Sequence, residues 1–246
     1  MNNRLERIID EAYRVFKPYK ASKPLDACTD CCLGREQEDE LVSMAIRQIP
    51  FDLFYEYNSA AKPTQLNPEE VLHFLPRLLE LTAEFRFTYH SAELVLSRMA
   101  CLNLEEMPEI ECMVLMQYAE LLVEKALRQY PLPELERMDS IIAMLYNGGF
   151  AVEPMLTQWE NNGSDEALLH FADLVLDGLQ DKNGNIYKNG FADQTFNQTF
   201  QNWLKRPQVL DGFKRQLEEV VMHSNSYDSE VVERCSWAYD KLYYGL

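Results

Sequence analysis

The amino-acid sequence predicts an all-α fold. Apolar residues recur at the three- and four-residue steps of a helix nearly from end to end, whereas the alternation typical of strands is nearly absent. The 246 residues include only nine glycines, fewer than the tight turns of an all-β chain of this length require. We therefore expect one irregular domain over residues 1–246, with about eleven helices joined by short connections. Stacked antiparallel helical hairpins are one arrangement that would suit these helix lengths.

The first four predicted helices are defined by apolar stripes and by residues that begin or end a helix. The first stripe comprises Leu5, Ile8, Ile9, Ala12, Val15 and Phe16, and Pro18 should end that helix. A second helix begins with the acidic stretch REQEDE, and Pro50 separates it from a third over residues 51–60. Asn67 is the expected N-cap of the fourth helix, and Glu70 should complete a capping box.

Helices are also expected through the rest of the chain. Their predicted ranges are 91–100, 108–129, 134–146, 154–160, 164–180, 194–205, 208–223 and 229–243. Gly148 and Gly149 should close the third of these, and Ser164 should cap the start of the fifth. The stretch DKNGNIYKNGF, residues 181–191, contains two Asn-Gly pairs and predicts a small hairpin or an irregular loop.

The charge of the chain restricts its partners. It carries 23 basic against 40 acidic residues, a formal charge of −17. Nucleic-acid backbones and anionic membrane surfaces are held mainly by Lys and Arg, so neither is an expected partner, whereas a basic protein is. No stretch approaches the roughly 18 apolar residues of a membrane span, and the N-terminal stretch does not read as a targeting signal. We therefore expect a cytoplasmic protein with reduced thiols.

Three cysteines, Cys28, Cys31 and Cys32, lie within the stretch DACTDCC. The C-x-x-C step would let two thiolates bind one zinc ion, with Cys32, His73 or Cys112 completing the ligand set. A redox pair is less favoured, because such pairs usually lie at a helix N-terminus in a fold with strands. Burial as small apolar side chains in a turn is favoured over both, because no second half of a zinc motif is present.

Acidic residues dominate the segment from Gln129 to Asp181, where Arg137 is the only Lys or Arg. Just upstream, LEEMPEIE adds four glutamates. This pattern is typical of a solvated acidic face, and it also suits a docking surface for a basic protein. Exposed aromatic anchors would be Tyr146, Phe150 and Trp159. The expected contact residues are Glu134, Glu136, Asp139, Glu153, Trp159, Glu160, Asp165 and Glu166.

Catalytic motifs are not readable in the sequence. The four histidines are scattered, no Ser or Cys has a readable His and Asp set, and no Gly-rich phosphate loop is present. His73 lies on an apolar stretch and is expected to be a hydrogen-bonded core or boundary residue. A helical hydrolase with converging carboxylates remains an open alternative, but no catalytic residue is predicted and a non-enzymatic role is favoured.

Three stretches together resemble a known pattern. They are CTDCC, the helix containing HFLPRLLEL, and WLKRPQVLDGFKRQLEE followed by SWAYDKL. In these the chain resembles a family of largely uncharacterised bacterial all-helical proteins with an early Cys-x-x-Cys, an HFLPR-type helix and a late Trp-Leu-x-x-Pro segment. Some proteins of this general kind look like immunity partners of secreted bacterial toxins, and the resemblance assigns no activity and no catalytic residue to the chain.

The functional hypothesis combines charge and resemblance. We expect a non-enzymatic cytoplasmic binding protein of the immunity or inhibitor type, whose acidic face covers the active surface of a basic toxin or enzyme domain. The alternative is a zinc-stabilised helical scaffold or regulatory protein built around Cys28, Cys31 and Cys32.

Overall fold

The computed structural model describes residues 3–29, 32–179 and 187–244, and over these ranges it contains helices and no β-strand. The prediction of an all-α, multi-helix fold is confirmed. The α-helices are α1 (Asn3–Val15), α2 (Arg35–Ser43), α3 (Phe51–Ser59), α4 (Pro68–Ala83), α5 (Glu109–Leu127), α6 (Met138–Asn147), α7 (Val152–Glu160), α8 (Asp165–Asp173), α9 (Gln194–Leu204), α10 (Pro207–Met222) and α11 (Ser229–Tyr244). None of these described helices is long and apolar enough to cross a bilayer.

Shorter helical segments connect the α-helices. The 3-10 segments are Ile46–Gln48, Ala92–Leu94, Ser97–Cys101, Leu104–Glu106, Pro133–Leu135 and Ser224–Ser226, and Leu174–Gly178 is a π-helical extension of α8. An isolated antiparallel bridge joins Leu179 to Tyr187. Residues 180–186, on which most of the predicted hairpin or loop falls, lie outside the described ranges.

The predicted α-helix over residues 91–100 is wrong, because this stretch forms two 3-10 segments. The side-chain amide of Asn58 donates to the carbonyl oxygen of Val95 at 3.0 Å. An α-helix would use that carbonyl for the backbone N–H of Met99, which instead donates to Leu96. A long-range side chain therefore replaces an intrahelical hydrogen bond.

The predicted N-caps are confirmed. The Asn67 side chain accepts from the N–H of Glu69 at 3.0 Å, and Ser164 Oγ accepts from the N–H of Ala167 at 3.2 Å. The capping box at Glu70 is wrong. Its buried carboxylate instead accepts from the N–H of Asp26 at 3.0 Å and from the Tyr57 hydroxyl at 2.8 Å.

The chain divides into two compact units. The first unit comprises Met1–Leu122 and Met144–Phe150, and the second comprises Val123–Ala143 and Ala151–Leu246. In the first unit α1 packs on α4, which also contacts Ile46–Gln48 and Ser97–Cys101. In the second unit α11 packs against α10, α8 and the π-helical segment, and α7 packs against α9. The expectation of one domain over residues 1–246 stays a prediction.

An aromatic cluster forms the core of the second unit. The rings of Phe171 and Phe213 stack with centroids 3.8 Å apart, and those of Trp159 and Trp203 stack at 5.4 Å. Phe200 meets Trp203 edge to face at 5.4 Å. Stacked and edge-to-face aromatic pairs add to the stabilisation that their buried area provides. This cluster fixes α7, α8, α9 and α10 against one another.

Candidate functional site

The predicted acidic contact residues differ in exposure. Glu134, Glu153 and Asp165 are exposed, and Glu136, Glu160 and Glu166 are half-buried. The expected exposure of Trp159 is wrong: it is 0% exposed, and its indole N–H donates to the carbonyl of Ala167 at 3.0 Å. Of the other two predicted aromatic anchors, Phe150 is buried and Tyr146 is half-buried. Large aromatic side chains are most often buried in the core, and the sequence pattern did not distinguish buried aromatic residues from exposed ones.

Asp139, another predicted contact residue, is not at the surface. It is fully buried, and its carboxylate oxygens accept from Arg137 Nε and Nη2, each at 2.9 Å. The Tyr187 hydroxyl donates to the same carboxylate at 3.0 Å. Burial and the Asp139 carboxylate both raise the pKa of Tyr187, so its hydroxyl keeps its proton and remains a donor. Asp139 is therefore an internal counter-ion and not part of a docking surface.

Two of the predicted residues, Asp165 and Glu166, lie in a groove of about 640 Å³ within the second unit. We call it the acidic groove. It is lined by the start of α8, the first half of α11 and the connection between Tyr130 and Leu135. Its acidic lining residues are Asp165, Glu166, Glu230 and Glu233, and its apolar ones are Pro131, Leu135, Leu169, Val231 and Trp237. The groove thus combines carboxylates with exposed apolar side chains.

The four acidic side chains of the groove form no ion pair within the described ranges. Among the residues that the structure describes, Arg234 is the only cation that lines the groove. Its guanidinium is engaged by Asp173 and, at 3.4 Å, by Asp177. Because Arg234 is already paired with these two acids, its charge is largely unavailable to neutralise the groove. The groove therefore presents an excess of negative charge to any ligand.

Two apolar side chains stand out from this acidic surface. Trp237 is 54% exposed and Leu135 is 83% exposed. The other two tryptophans, Trp159 and Trp203, are fully buried. Aromatic and aliphatic side chains inside a polar rim are the usual anchors of protein interfaces.

The backbone that carries Leu135 is strained. Glu134 and Leu135 adopt φ values of 60° and 58°, the left-handed region that side chains with a Cβ rarely occupy. This pair also explains why α6 begins at Met138 and not at the predicted residue 134. Strain of this kind costs about 1 to 3 kcal/mol per residue and collects at binding sites. Here it holds Leu135 out in solvent at the edge of the acidic groove.

A pair of variants tests this strain directly. Leu135→Gly should be more stable than Leu135→Ala by about 1 kcal/mol, because glycine adopts positive φ without a Cβ clash. Both variants remove the same exposed side chain, so their difference in urea denaturation isolates the backbone contribution. An alanine variant as stable as the glycine variant would mean that Leu135 does not hold a left-handed conformation.

The predicted acids of LEEMPEIE belong to the first unit. Glu105 and Glu109 are exposed beside Met113 and Met116, which are 46% and 44% exposed on α5. Glu111 is buried and accepts from the Tyr19 hydroxyl at 2.7 Å. This surface provides matched acidic positions for control variants outside the acidic groove.

The cysteine site is only partly described. Cys28 and Cys32 are half-buried in a turn in which the Leu33 N–H donates to the Cys28 carbonyl at 2.9 Å, and Cys31 lies outside the described residues. In the part of the chain that the structure covers, no group of three or more potential ligands could hold a metal ion. Zinc binding by Cys28, Cys31 and Cys32 therefore stays a prediction.

Two histidines are hydrogen-bonded in the interior. His73 is buried, and its Nδ1 lies 3.0 Å from the carbonyl of Tyr19, which confirms the predicted core or boundary role. His170 Nε2 lies 2.9 Å from the carbonyl of Gln129. Burial lowers the pKa of both side chains and so favours the neutral ring, although the hydrogen bonds to the carbonyls act in the opposite direction.

The acidic groove includes residues that the sequence argument missed. Glu230, Glu233 and Trp237 follow one another at steps of three and four, and so lie on one face of α11. This spacing is visible in the sequence, but the predicted contact residues lie in the acidic segment between Gln129 and Asp181, which does not include α11. No protein-family model, curated protein or solved structure matches the chain. The acidic groove is therefore the feature from which we infer a function.

Proposed function

We propose that the chain is a non-enzymatic binding protein whose acidic groove captures a basic segment of a partner protein. The observation that carries this proposal is a group of four acidic side chains around the exposed side chains of Trp237 and Leu135, none of which forms an ion pair with a described residue. The carboxylates around the groove attract Lys and Arg of the partner. Trp237 and Leu135 pack against an apolar partner residue that lies between those basic residues. The proposed ligand is thus a segment in which basic residues flank an apolar one.

The whole chain supports such capture. Its formal charge of −17 attracts a basic protein over distances longer than a hydrogen bond and raises the rate of encounter. Contacts of Trp237 and Leu135 would then set the rate of release, because interface affinity differs mainly through dissociation. Charge and anchors therefore have separable kinetic effects.

We further propose that the partner is a toxin or enzyme domain with a basic active surface, and that binding covers that surface in the cytoplasm. The resemblance to bacterial helical proteins of the immunity type supports this proposal, and so does the charge. Active surfaces that act on nucleic acid or other anions are basic, so an acidic inhibitor competes for the same charges.

The test is capture of a partner by matched variants. The double variant Glu230→Lys and Glu233→Lys reverses the rim of the acidic groove, and the control Glu105→Lys and Glu109→Lys makes the same charge change in the first unit. The wild type and the control should retain one basic protein from a lysate of the native host. The groove variant should lose it, with an association rate lower by roughly tenfold or more.

Two further measurements test the separate role of the apolar side chains and the inhibition of the partner. Leu135→Ala should leave the association rate nearly unchanged and raise the dissociation rate. A captured basic domain that is inhibited by the wild type, and not by the groove variant, would support the inhibitor proposal. Equal capture by wild type and groove variant would contradict the assignment of the groove.

A further inference from the structure

Lys62, in the connection between α3 and α4 of the first unit, has no acidic partner among the described residues. Its side chain is half-buried, and its Nζ donates to Ser97 Oγ at 2.5 Å. The ring centroid of Tyr89 lies 5.5 Å from the same nitrogen. Within the described ranges no carboxylate pairs with Lys62, although the chain holds 40 acidic residues. An unpaired cation in this environment loses hydration without gaining a counter-ion.

A second cation, Arg98, follows Ser97 directly. It is 2% exposed, and its Nη1 and Nη2 donate to the carbonyl oxygens of Asp26 and Tyr57 at 2.8 and 2.6 Å. Its guanidinium lies 4.3 Å from the Tyr57 ring centroid, and its buried Nε has no acceptor in the described part of the chain. Both guanidinium contacts are thus with neutral acceptors. A buried donor without an acceptor is uncommon in folded proteins.

The nearby acids are engaged elsewhere. The Glu70 carboxylate accepts from the Tyr57 hydroxyl and the Asp26 N–H, and the Asp26 carboxylate accepts from the N–H of Asn67. Burial raises the pKa of Glu70 and that of the Cys101 thiol, which also lies near Arg98. Burial, and secondly the charge of Arg98, lower the pKa of Lys62 to about 8. Lys62 and Arg98 therefore repel each other, while the Glu70 carboxylate offsets part of the charge of Arg98.

We propose that Lys62, Ser97 and Arg98 form one side of a binding site for a small oxyanion, either a phosphate or a carboxylate group. The Lys62 ammonium and the Ser97 hydroxyl supply hydrogen-bond donors, and Arg98 supplies a fixed positive charge behind them. Ser97 Oγ now donates to the carbonyl of Leu94 at 2.6 Å, so its hydrogen must turn to reach an anion. Rotation of a hydroxyl hydrogen needs no change in the backbone.

An anion bound here has a defined effect on Lys62. The charged form gains the counter-ion that it lacks, so the pKa of Lys62 rises above about 8. Binding therefore takes up a proton at mildly alkaline pH and weakens as Lys62 becomes neutral. Without an anion, the folded pKa lies below the unfolded value of 10.5, so the protein should become more stable as pH rises from about 8.

The experiment compares thermal unfolding in sodium phosphate, sodium acetate and sodium chloride at equal ionic strength. At about pH 7 one oxyanion should raise the melting temperature of the wild type by a few degrees in a saturable way. At about pH 9.5 most of this rise should disappear, because Lys62 is then neutral. A rise with phosphate alone assigns a phosphate group, and a rise with acetate alone assigns a carboxylate.

Two variants give the comparison its control. The melting temperature of Lys62→Met should not rise with the oxyanion. This variant should still fold, because the substitution removes a charge that has no counter-ion. The control Lys17→Met, at an exposed position, should keep the rise in melting temperature. Calorimetric titration of phosphate and of acetate into the wild type and into Ser97→Ala should show weaker binding to the variant. Equal melting temperatures in the three salts, or a rise retained by Lys62→Met or undiminished at about pH 9.5, would overturn the proposal.

Discussion

Replacing Asp139 with alanine is expected to lower the free energy of unfolding by about 3 kcal/mol. The substitution removes a fully buried carboxylate that holds Arg137 through two hydrogen bonds and accepts a third from Tyr187. Arg137 is left without its counter-ion and the Tyr187 hydroxyl without its acceptor. Because Arg137 is about a third exposed, water compensates part of the loss, which places the effect at the low end of the range for buried pairs.

Urea denaturation of this variant measures the effect. The control is Asp165→Ala, which removes an exposed acid of the acidic groove and should change the free energy of unfolding by less than about 0.5 kcal/mol. Equal small effects at both positions would contradict the internal role of Asp139. The same result would return Asp139 to the set of candidate contact residues.

Replacing Trp159 with alanine is expected to cost about 3 to 5 kcal/mol. The fully buried indole contacts Trp203 and meets Phe171, Phe200 and Phe213 edge to face. Alanine leaves a cavity among these rings and removes the hydrogen bond to Ala167. Trp159→Phe keeps part of the ring packing and should cost less than half as much.

The matched control is Trp237→Phe on the exposed face of α11. It should change the free energy of unfolding by less than about 0.5 kcal/mol, because half of the side chain is already in water. Thermal or urea unfolding of the three tryptophan variants compares them directly. A Trp159→Ala variant no less stable than Trp237→Phe would contradict the buried aromatic cluster.

The helices could be predicted from the sequence because their signals are local. Apolar spacing and capping residues such as Asn67 and Ser164 act within one or two turns of the chain. The prediction failed where a distant residue decided the outcome. The Asn58 side chain donates to the Val95 carbonyl, which an α-helix would need for its own hydrogen bond. The Glu70 carboxylate accepts from Tyr57 and Asp26 and not from the backbone at the start of its own helix.

The candidate site was predictable only in part. A single-sign charge pattern brought forward Asp165 and Glu166, which line the acidic groove, but it could not separate them from the buried Asp139, which accepts a hydrogen bond from Tyr187, 48 residues away. The remaining part of the acidic groove comes from α11, about 65 residues after α8 in the sequence. Contacts of this separation leave no local pattern. Leu135 was missed for another reason, since positive φ at a leucine contradicts its residue type.

The most direct test of the acidic groove uses the fluorescence of Trp237, the only one of the three tryptophans that is exposed. A short peptide in which lysines flank a leucine should shift its emission to shorter wavelength in a saturable way, and salt of about 0.5 M should weaken binding. A peptide with glutamates in place of the lysines should have no effect. Trp237→Phe should remove the signal, and Glu230→Lys with Glu233→Lys should weaken binding roughly tenfold. Emission that ignores the basic peptide, or responds equally to the acidic one, would contradict the proposed capture of a basic segment.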